Sequence, residues 1–246
     1  MTDHDIAKLL LDARTGAPVA TGIIPADEAQ AYRVQQLVMA ELGPIGGWKV
    51  GAPGPDEPPT CAPMPQANLF AAPHGFDSAV FSQREVESEI FFRLGTDLPA
   101  QEAPYTREEV VAAIASCHPG IEVLQSRYAD PDAAGALALL ADFIQHGAYV
   151  TGQEIGEWEA IDFAAMTIRQ TIAGGPIIER VGNPAGDMIR LLVWLANTGS
   201  AWAGGLRAGQ VLTCGSWTGK TRAPADSTVT ADFSGAAPVA ISFAQP

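Results

Sequence analysis

Cysteine is scarce in this chain: three in 246 residues, at Cys61, Cys117 and Cys214. Their wide spacing fits neither a metal-finger pattern nor a disulfide framework, so reduced thiols in a cytoplasmic protein are expected. Basic residues are also few, 14 Lys and Arg against 28 Asp and Glu, for a net charge of -14. That imbalance argues against a nucleic-acid groove or an anionic membrane surface as partner. An anionic small molecule would need a local Lys, Arg or metal ion. No apolar run approaches the ~20 residues of a membrane span, and Met1-Thr2-Asp3-His4-Asp5 is too polar for a signal peptide. Internal repeats and low-complexity segments are absent as well. What is plentiful is apolar: 47% hydrophobic and 17% charged residues describe a globular protein with a substantial core. The length suits one large domain, or one domain with a helical appendage.

Apolar residues recur with helical spacing from Ile6 to Arg14, and again from Ala29 to Leu42 in a second helix that Ala26-Asp27-Glu28 starts and Gly43-Pro44 stops. A helical N-terminal region, residues 1–45, packed on a main body of residues 46–246 is the expected organisation. Gly46 to Gly51 reads as a short strand. Ala52 to Pro73, rich in proline, reads as a long irregular loop, either a lid over a site or a surface segment. Thr106 and Glu109 form a capping box for a helix to about Ser116, and Pro119-Gly120 separates it from a strand at Ile121 to Leu124. Pro131 to Ile144 reads as one helix, Gly147 to Gly152 as a strand, and Met166 to Val181 as a hairpin. Asn183-Pro184 is expected to open a helix to about Asn197. Strands at Gly209 to Cys214, Ser227 to Phe233 and Val239 to Phe243 close the chain. With no repeated βαβ unit, the fold class is α+β with a mixed β-sheet core and flanking helices.

Three features carry chemistry. In Arg84-Glu85-Val86-Glu87-Ser88-Glu89-Ile90-Phe91-Phe92 the alternation puts Glu85, Glu87 and Glu89 on one strand face, neighbours roughly 6.5–7 Å apart. Such a row must be solvated, protonated or bridged by a cation. Glu122 stands inside the apolar run Ile121-Glu122-Val123-Leu124, where a carboxylate is costly unless paired or coordinated. Arg127 is one partner within reach; a metal shared with the acidic strand is the other. Three carboxylates would form a hard oxygen site suited to Mg²⁺ or Mn²⁺. Lys49, in the glycine-bounded strand, either snorkels to the surface or holds an anion and moves protons.

In order along the chain, Gly47-Trp48-Lys49-Val50-Gly51, Glu87-Ser88-Glu89-Ile90, Ile121-Glu122-Val123 with Ser126-Arg127, Ala141-Asp142, Gly147-Ala148-Tyr149-Val150-Thr151-Gly152, Gly182-Asn183-Pro184, Val193-Trp194-Leu195-Ala196 and Leu212-Thr213-Cys214-Gly215-Ser216 resemble a known family. It is that of the 2-keto-4-pentenoate hydratases, grouped with the 4-oxalocrotonate decarboxylases in the fumarylacetoacetate-hydrolase-like superfamily. The resemblance runs from about Tyr32 to the C-terminus. It implies that fold, Mg²⁺ or Mn²⁺ held by Glu87, Glu89 and Glu122, an active-site Lys49, and substrate contacts from Gly215 and Ser216. It also implies a lyase of aromatic-compound catabolism. The enzyme would add water to a 2-hydroxy-2,4-dienoate or related 2-oxo acid, giving a 4-hydroxy-2-oxo acid. A homo-oligomer follows, with a decarboxylase as a further partner. Decarboxylation or acylpyruvate hydrolysis on the same metal, or a non-catalytic partner subunit, are the other readings.

The chain departs from the family in three places. Pro63-Met64-Pro65-Gln66-Ala67-Asn68 replaces a Pro-Asp/Ala-hydrophobic-Gly motif, Ala141-Asp142-Phe143 replaces Ala-Asp-Asn, and a serine is missing from Ala173-Gly174-Gly175-Pro176. The expected cage is kept while the pocket is altered. His118 is off the pattern too, either a pocket acid or base or a histidine at a helix end.

Overall fold

The computed structural model describes residues 1–244; Gln245 and Pro246, the end of the expected main body, lie outside the described residues. The spine of the central sheet runs β2-β1-β12-β5-β7-β8-β3, with the two-residue β13 (Thr221–Arg222) also paired to β5. These strands are β1 (Ile45–Gly51), β2 (Thr60–Pro65), β3 (Leu69–Ala71), β5 (Glu85–Leu94), β7 (Ile114–Leu124), β8 (His146–Thr151) and β12 (Val211–Thr213). A second sheet has the order β10-β9-β14-β15-β4: β10 (Ile177–Val181), β9 (Thr167–Ile172), β14 (Thr228–Phe233), β15 (Val239–Ala244) and β4 (His74–Asp77). The short β6 (Leu98–Pro99) and β11 (Gly205–Leu206) pair with each other. Parallel pairs (β1 with β12, β3 with β8, β15 with β4) stand among antiparallel ones. The fold is therefore α+β with mixed sheets.

Period-two alternation assigns the two faces of the central sheet. Val86, Ile90 and Phe92 of β5 and Ile121 and Val123 of β7 point into the main apolar core. There they meet Val229, Ala231 and Phe233 of β14 and Val239, Ile241 and Phe243 of β15. Each such fully buried Val, Ile or Phe side chain contributes about 1.5–3 kcal/mol. The intervening residues of β5 and β7 necessarily face the other way, and these include the acids. On the N-terminal side, α1 (Asp3–Asp12) and α2 (Glu28–Leu42) start at capped ends, Thr2 and Asp27. Their Ile6, Leu10, Ala31, Val34 and Val38 form a second apolar cluster with Ala138 and Phe143.

Five expectations need correction. The stretch 60–71 is not irregular: it contains β2 and β3, and only residues 52–59 remain a loop. Prolines hid β2, yet β2 is an edge strand, where a missing N–H costs no ladder bond. The helix after Thr106, α3 (Arg107–Ala112), stops early because the following residues start β7. Nor does Pro119-Gly120 break β7: Pro119 turns its peptide edge to the β8 side, where its carbonyl accepts from Gly152 N (2.8 Å). The helix expected over 131–144 is split at Gly135 (φ 83) into α4 (Pro131–Ala134) and α5 (Ala136–Ala141). Finally, Gly186 (φ 73) turns the chain so that the next helix, α6 (Met188–Trp194), is capped by Asp187 instead of Asn183.

After α5 the backbone is left-handed at three consecutive residues: Phe143 (φ 55), Ile144 (φ 51) and Gln145 (φ 63). None is glycine, and a β-branched residue in this region is strained. The turn is clamped by a buried ion pair. Arg127 donates through Nε to Asp142 Oδ1, through Nη2 to the Asp142 carbonyl (2.8 Å) and through Nη1 to the His146 carbonyl (2.8 Å). Asp142 also accepts from Ser126 Oγ (3.0 Å) and Arg127 N (2.8 Å). Asp142→Ala would strand the Arg127 charge, so it should lower unfolding free energy by about 3–5 kcal/mol. Urea denaturation checks this; a loss below about 1 kcal/mol would show that the pair is not what holds the turn.

Candidate metal centre

The register of β5 against β7 builds the site. Glu87 lies directly opposite Glu122, while Glu89 lies opposite Gly120. Ligand atoms of Glu87, Glu89 and Glu122 lie within 4.8 Å of one another. Glu89 (1% exposed) and Glu122 (0%) are buried, and Glu87 is partly open to a cavity. Like charges directly across an antiparallel pair repel, and burial removes the water that would screen them. Gly120 leaves room that the Tyr149 ring occupies: a Cβ at this position would collide with the Tyr149 hydroxyl.

Each carboxylate sits in a different field. Burial raises Glu122, but Lys49 and His146 outweigh it and bring the acid below its ordinary range. Lys49 Nζ donates to Glu122 Oε2 at 2.7 Å and to the Ile144 carbonyl at 3.0 Å. The second Glu122 oxygen, Oε1, meets His146 Nδ1 at 2.8 Å. Burial pushes Glu87 up to about 7, Lys49 opposes that and Glu122 adds to it. For Glu89 burial, then Glu122 and Glu87, push the acid well up. Glu89 Oε2 is buried with no hydrogen-bond partner. An orphaned buried carboxylate oxygen between two other acids is what a bridging divalent cation would satisfy, and an all-oxygen donor set suits a hard ion. The residues fit the group.

Lys49 is only 8% exposed and does not snorkel. Burial lowers its pKa, yet Glu122, Glu87 and Glu89 more than offset this and hold the ammonium above its ordinary range. Lys49, Glu87, Glu89, Gly215 and Ser216 all line one cavity of about 330 Å³, with Val50, Ala52, Pro53, Thr60 and Ile144 as further walls. Gly215 (φ 80) makes the turn after β12, and Ser216 Oγ accepts from Gly219 N (2.9 Å). The 52–59 loop beside the cavity is tied to α6 by Arg190, which donates to the carbonyls of Glu57 (3.1 Å) and Gly54 (3.2 Å).

Other candidates fall elsewhere. Glu85 pairs with Lys220 (3.3 Å). Arg127 takes Asp142, not Glu122, as its partner. His118 is neither a helix-end residue nor a cavity group: it lies in β7, stacked on Phe91 (4.7 Å) and bonded to Ser116 Oγ (2.8 Å) and the Gly152 carbonyl (3.1 Å). The residues that sequence reasoning missed are His146 and Ile144. His146 is fully buried, and burial holds its imidazole neutral, consistent with Nδ1–H donating to Glu122. A polar residue at the start of an apolar strand was its one visible signal.

No protein-family model matches the chain. Among curated proteins, the 2-keto-4-pentenoate hydratase of Paraburkholderia xenovorans (strain LB400) is 30% identical over 138 residues, 56% of this chain and 50% of that protein. The 2-hydroxyhexa-2,4-dienoate hydratase of Comamonas testosteroni is 32% identical over 135 residues, 54% of this chain and 50% of that protein. The chain thus matches about half the length of these relatives. Among solved structures, the 4-oxalocrotonate decarboxylase from Pseudomonas putida G7 superposes with a TM-score of 0.81 at 19% identity, covering 99% of this chain and 98% of that one. It is known in complexes with calcium and acetate and with magnesium and adipate. These matches support the family resemblance that the motifs carry.

Two outcomes are expected. Titration calorimetry should show one Mg²⁺ or Mn²⁺ per chain, and Glu89→Gln should weaken it beyond the about 10–100-fold expected for His146→Leu, which removes only an outer partner. Because Glu87 is protonated below about 7, metal affinity should fall as pH drops from 8 to 6, and binding at pH 6.5 should release a proton. Affinity independent of pH over that range would exclude Glu87 as a ligand.

Proposed function

We propose that the chain is a metal-dependent hydratase of the 2-keto-4-pentenoate hydratase type. It would add water to a 2-hydroxy-2,4-dienoate or related 2-oxo acid and yield a 4-hydroxy-2-oxo acid. The observation that carries this reading is one arrangement: Glu87, Glu89 and a charged Lys49 line a single small cavity, with the buried Glu122 within ligand reach of both acids behind them. Mg²⁺ or Mn²⁺ held by Glu87, Glu89 and Glu122 would supply a Lewis acid for the substrate's carboxylate and C2 oxygen, favouring enol–ketone interconversion.

The chain's own residues do the rest. Lys49 is positively charged and held by Glu122 and the Ile144 carbonyl, so it acts as an acid or electrostatic stabiliser and not as a resting base. Its remaining N–H can deliver a proton to C5 while the C2 hydroxyl gives up its own, which recharges Lys49, so that the dienol becomes the ketone conjugated with a C3=C4 double bond. Water then adds at C4, with a proton to C3. Ser216, beside Glu87, and the Gly215 turn contact the substrate carboxylate.

Two features favour hydration over the alternatives on the same cage. Lys49 is the one cationic side chain among the described residues lining the cavity, and Val50, Ala52, Pro53 and Ile144 are apolar. Such walls suit a monoacid with a short uncharged tail better than an oxalocrotonate-like diacid. A hydrolase needs a base to activate water, and no histidine is among the described lining residues. The intact cage and lysine favour an enzyme over a non-catalytic subunit.

With this reading go a cytoplasmic homo-oligomer, a decarboxylase as further partner, and a catalytic unit over residues 46–246 with residues 1–45 packed on it. No helix among the described residues is long and apolar enough to cross a membrane.

With Mg²⁺ or Mn²⁺ present, a panel of 2-hydroxydienoates, oxalocrotonate-like diacids and acylpyruvates should give hydrated product from the dienoates. Released CO₂ or a cleaved acid pair would point to decarboxylase or hydrolase instead. Lys49→Ala should lower turnover about 10²–10⁴-fold with a much smaller change in metal affinity. Unchanged turnover would remove Lys49 from the reaction.

A further inference from the structure

We propose that the chain has a second binding site, unconnected with the metal cavity, that takes a small oxyanion between Arg14 and Gln125. The site is a separate cavity of about 260 Å³, with Arg14, Asn68, Phe81, Gln125, Ser126 and Arg127 among its walls. Arg14 follows the C-terminal end of α1, and its guanidinium lies over the Phe143 ring, 5.5 Å from the centroid. Among the described residues it makes no ion pair with a carboxylate, feeling Asp142 only at longer range, and its Nε is buried with no hydrogen bond. The neighbouring Gln125 Oε1 is buried and unpartnered too.

The other polar groups at this site are already engaged. Arg127 spends its guanidinium on Asp142 and the His146 carbonyl. Asp142 is saturated by Arg127 and Ser126, and Asn68 Nδ2 donates to the Gly147 carbonyl (2.7 Å). Arg14 is therefore left with a positive charge in a partly buried place, in a chain that carries twice as many acids as bases. Burial, and secondarily Arg127, pull its pKa down to about 10. Its place just after the C-terminal end of α1 favours a cation, but that does not satisfy the buried Nε.

An oxyanion answers both orphans. A guanidinium edge grips a carboxylate, phosphate or sulfate through parallel N–H bonds. The Gln125 amide, whose oxygen and nitrogen are interchangeable by a flip, can turn its N–H₂ to the same ligand. The cavity has room for such an ion with water, at about 30 Å³ per water.

The test is calorimetric titration of the metal-loaded full chain with phosphate, sulfate and acetate at fixed ionic strength. One saturable site per chain is expected for at least one of them. Arg14→Gln should weaken it by about tenfold or more, Arg14→Lys by less, with Mg²⁺ affinity unchanged in both. Preference for phosphate or sulfate would identify a phosphate-like ligand, and preference for acetate a carboxylate. If Arg14→Gln does not fold, Gln125→Leu should also weaken the binding. Absence of saturable binding, or binding undiminished in the variant that folds, would overturn the site.

Discussion

The buried carboxylate of Glu122 is the constraint on which the rest of this structure depends. It sits on the inner strand β7, directly across from Glu87 and beside Glu89, where water cannot screen it. A charge in that position persists only if it is paired on every side. Lys49 and His146 take its two oxygens, and the mutual repulsion of the three acids leaves a place for a cation. Because β5 and β7 are locked by their apolar faces against the second sheet, the acids cannot move apart to relieve the strain. The same hydrophobic packing that stabilises the fold thus holds the cage preorganised.

A second, smaller constraint supports the first. The ammonium of Lys49 needs two acceptors that do not move, and one of them is a main-chain carbonyl in a left-handed turn. Such a turn has a cost for Phe143 and Ile144, offset by the Arg127–Asp142 pair that ties both of its ends. The family places Asn, which tolerates left-handed backbone, where this chain has Phe143. The Phe143 ring in turn joins the N-terminal apolar cluster and lies under Arg14. The turn that holds the lysine is thereby anchored in the N-terminal apolar cluster.

Much of this was legible in the chain. The alternation in Glu85 to Phe92 located the first acidic strand but left its acid face solvated or bridged, the apolar run around Glu122 located the second and its burial, and the glycines around Lys49 marked its strand. Other features were not legible, for identifiable reasons. β2 was hidden because proline counts against a strand until its edge position is known. The length of β7 was hidden because Pro119 is harmless only when its missing N–H faces the end of a neighbouring strand. His146 carries only a faint local signal, a polar residue opening an apolar strand: its meaning comes from Glu122, 24 residues away, through a hydrogen bond.

By itself the sequence determined which residues are apolar on alternate positions, and so which faces of β5 and β7 must be buried and which must carry the acids. That is local, because side-chain direction in a strand follows from period two alone. Only the tertiary structure decided which acids meet. Register between β5 and β7 sets Glu87 against Glu122 and leaves Glu85 to Lys220, and a slip of one residue would have put Glu122 opposite a core residue. The partners of Arg127 and Lys49 were decided in the same way, since long-range pairing depends on how the sheets and the 143–145 turn close around them.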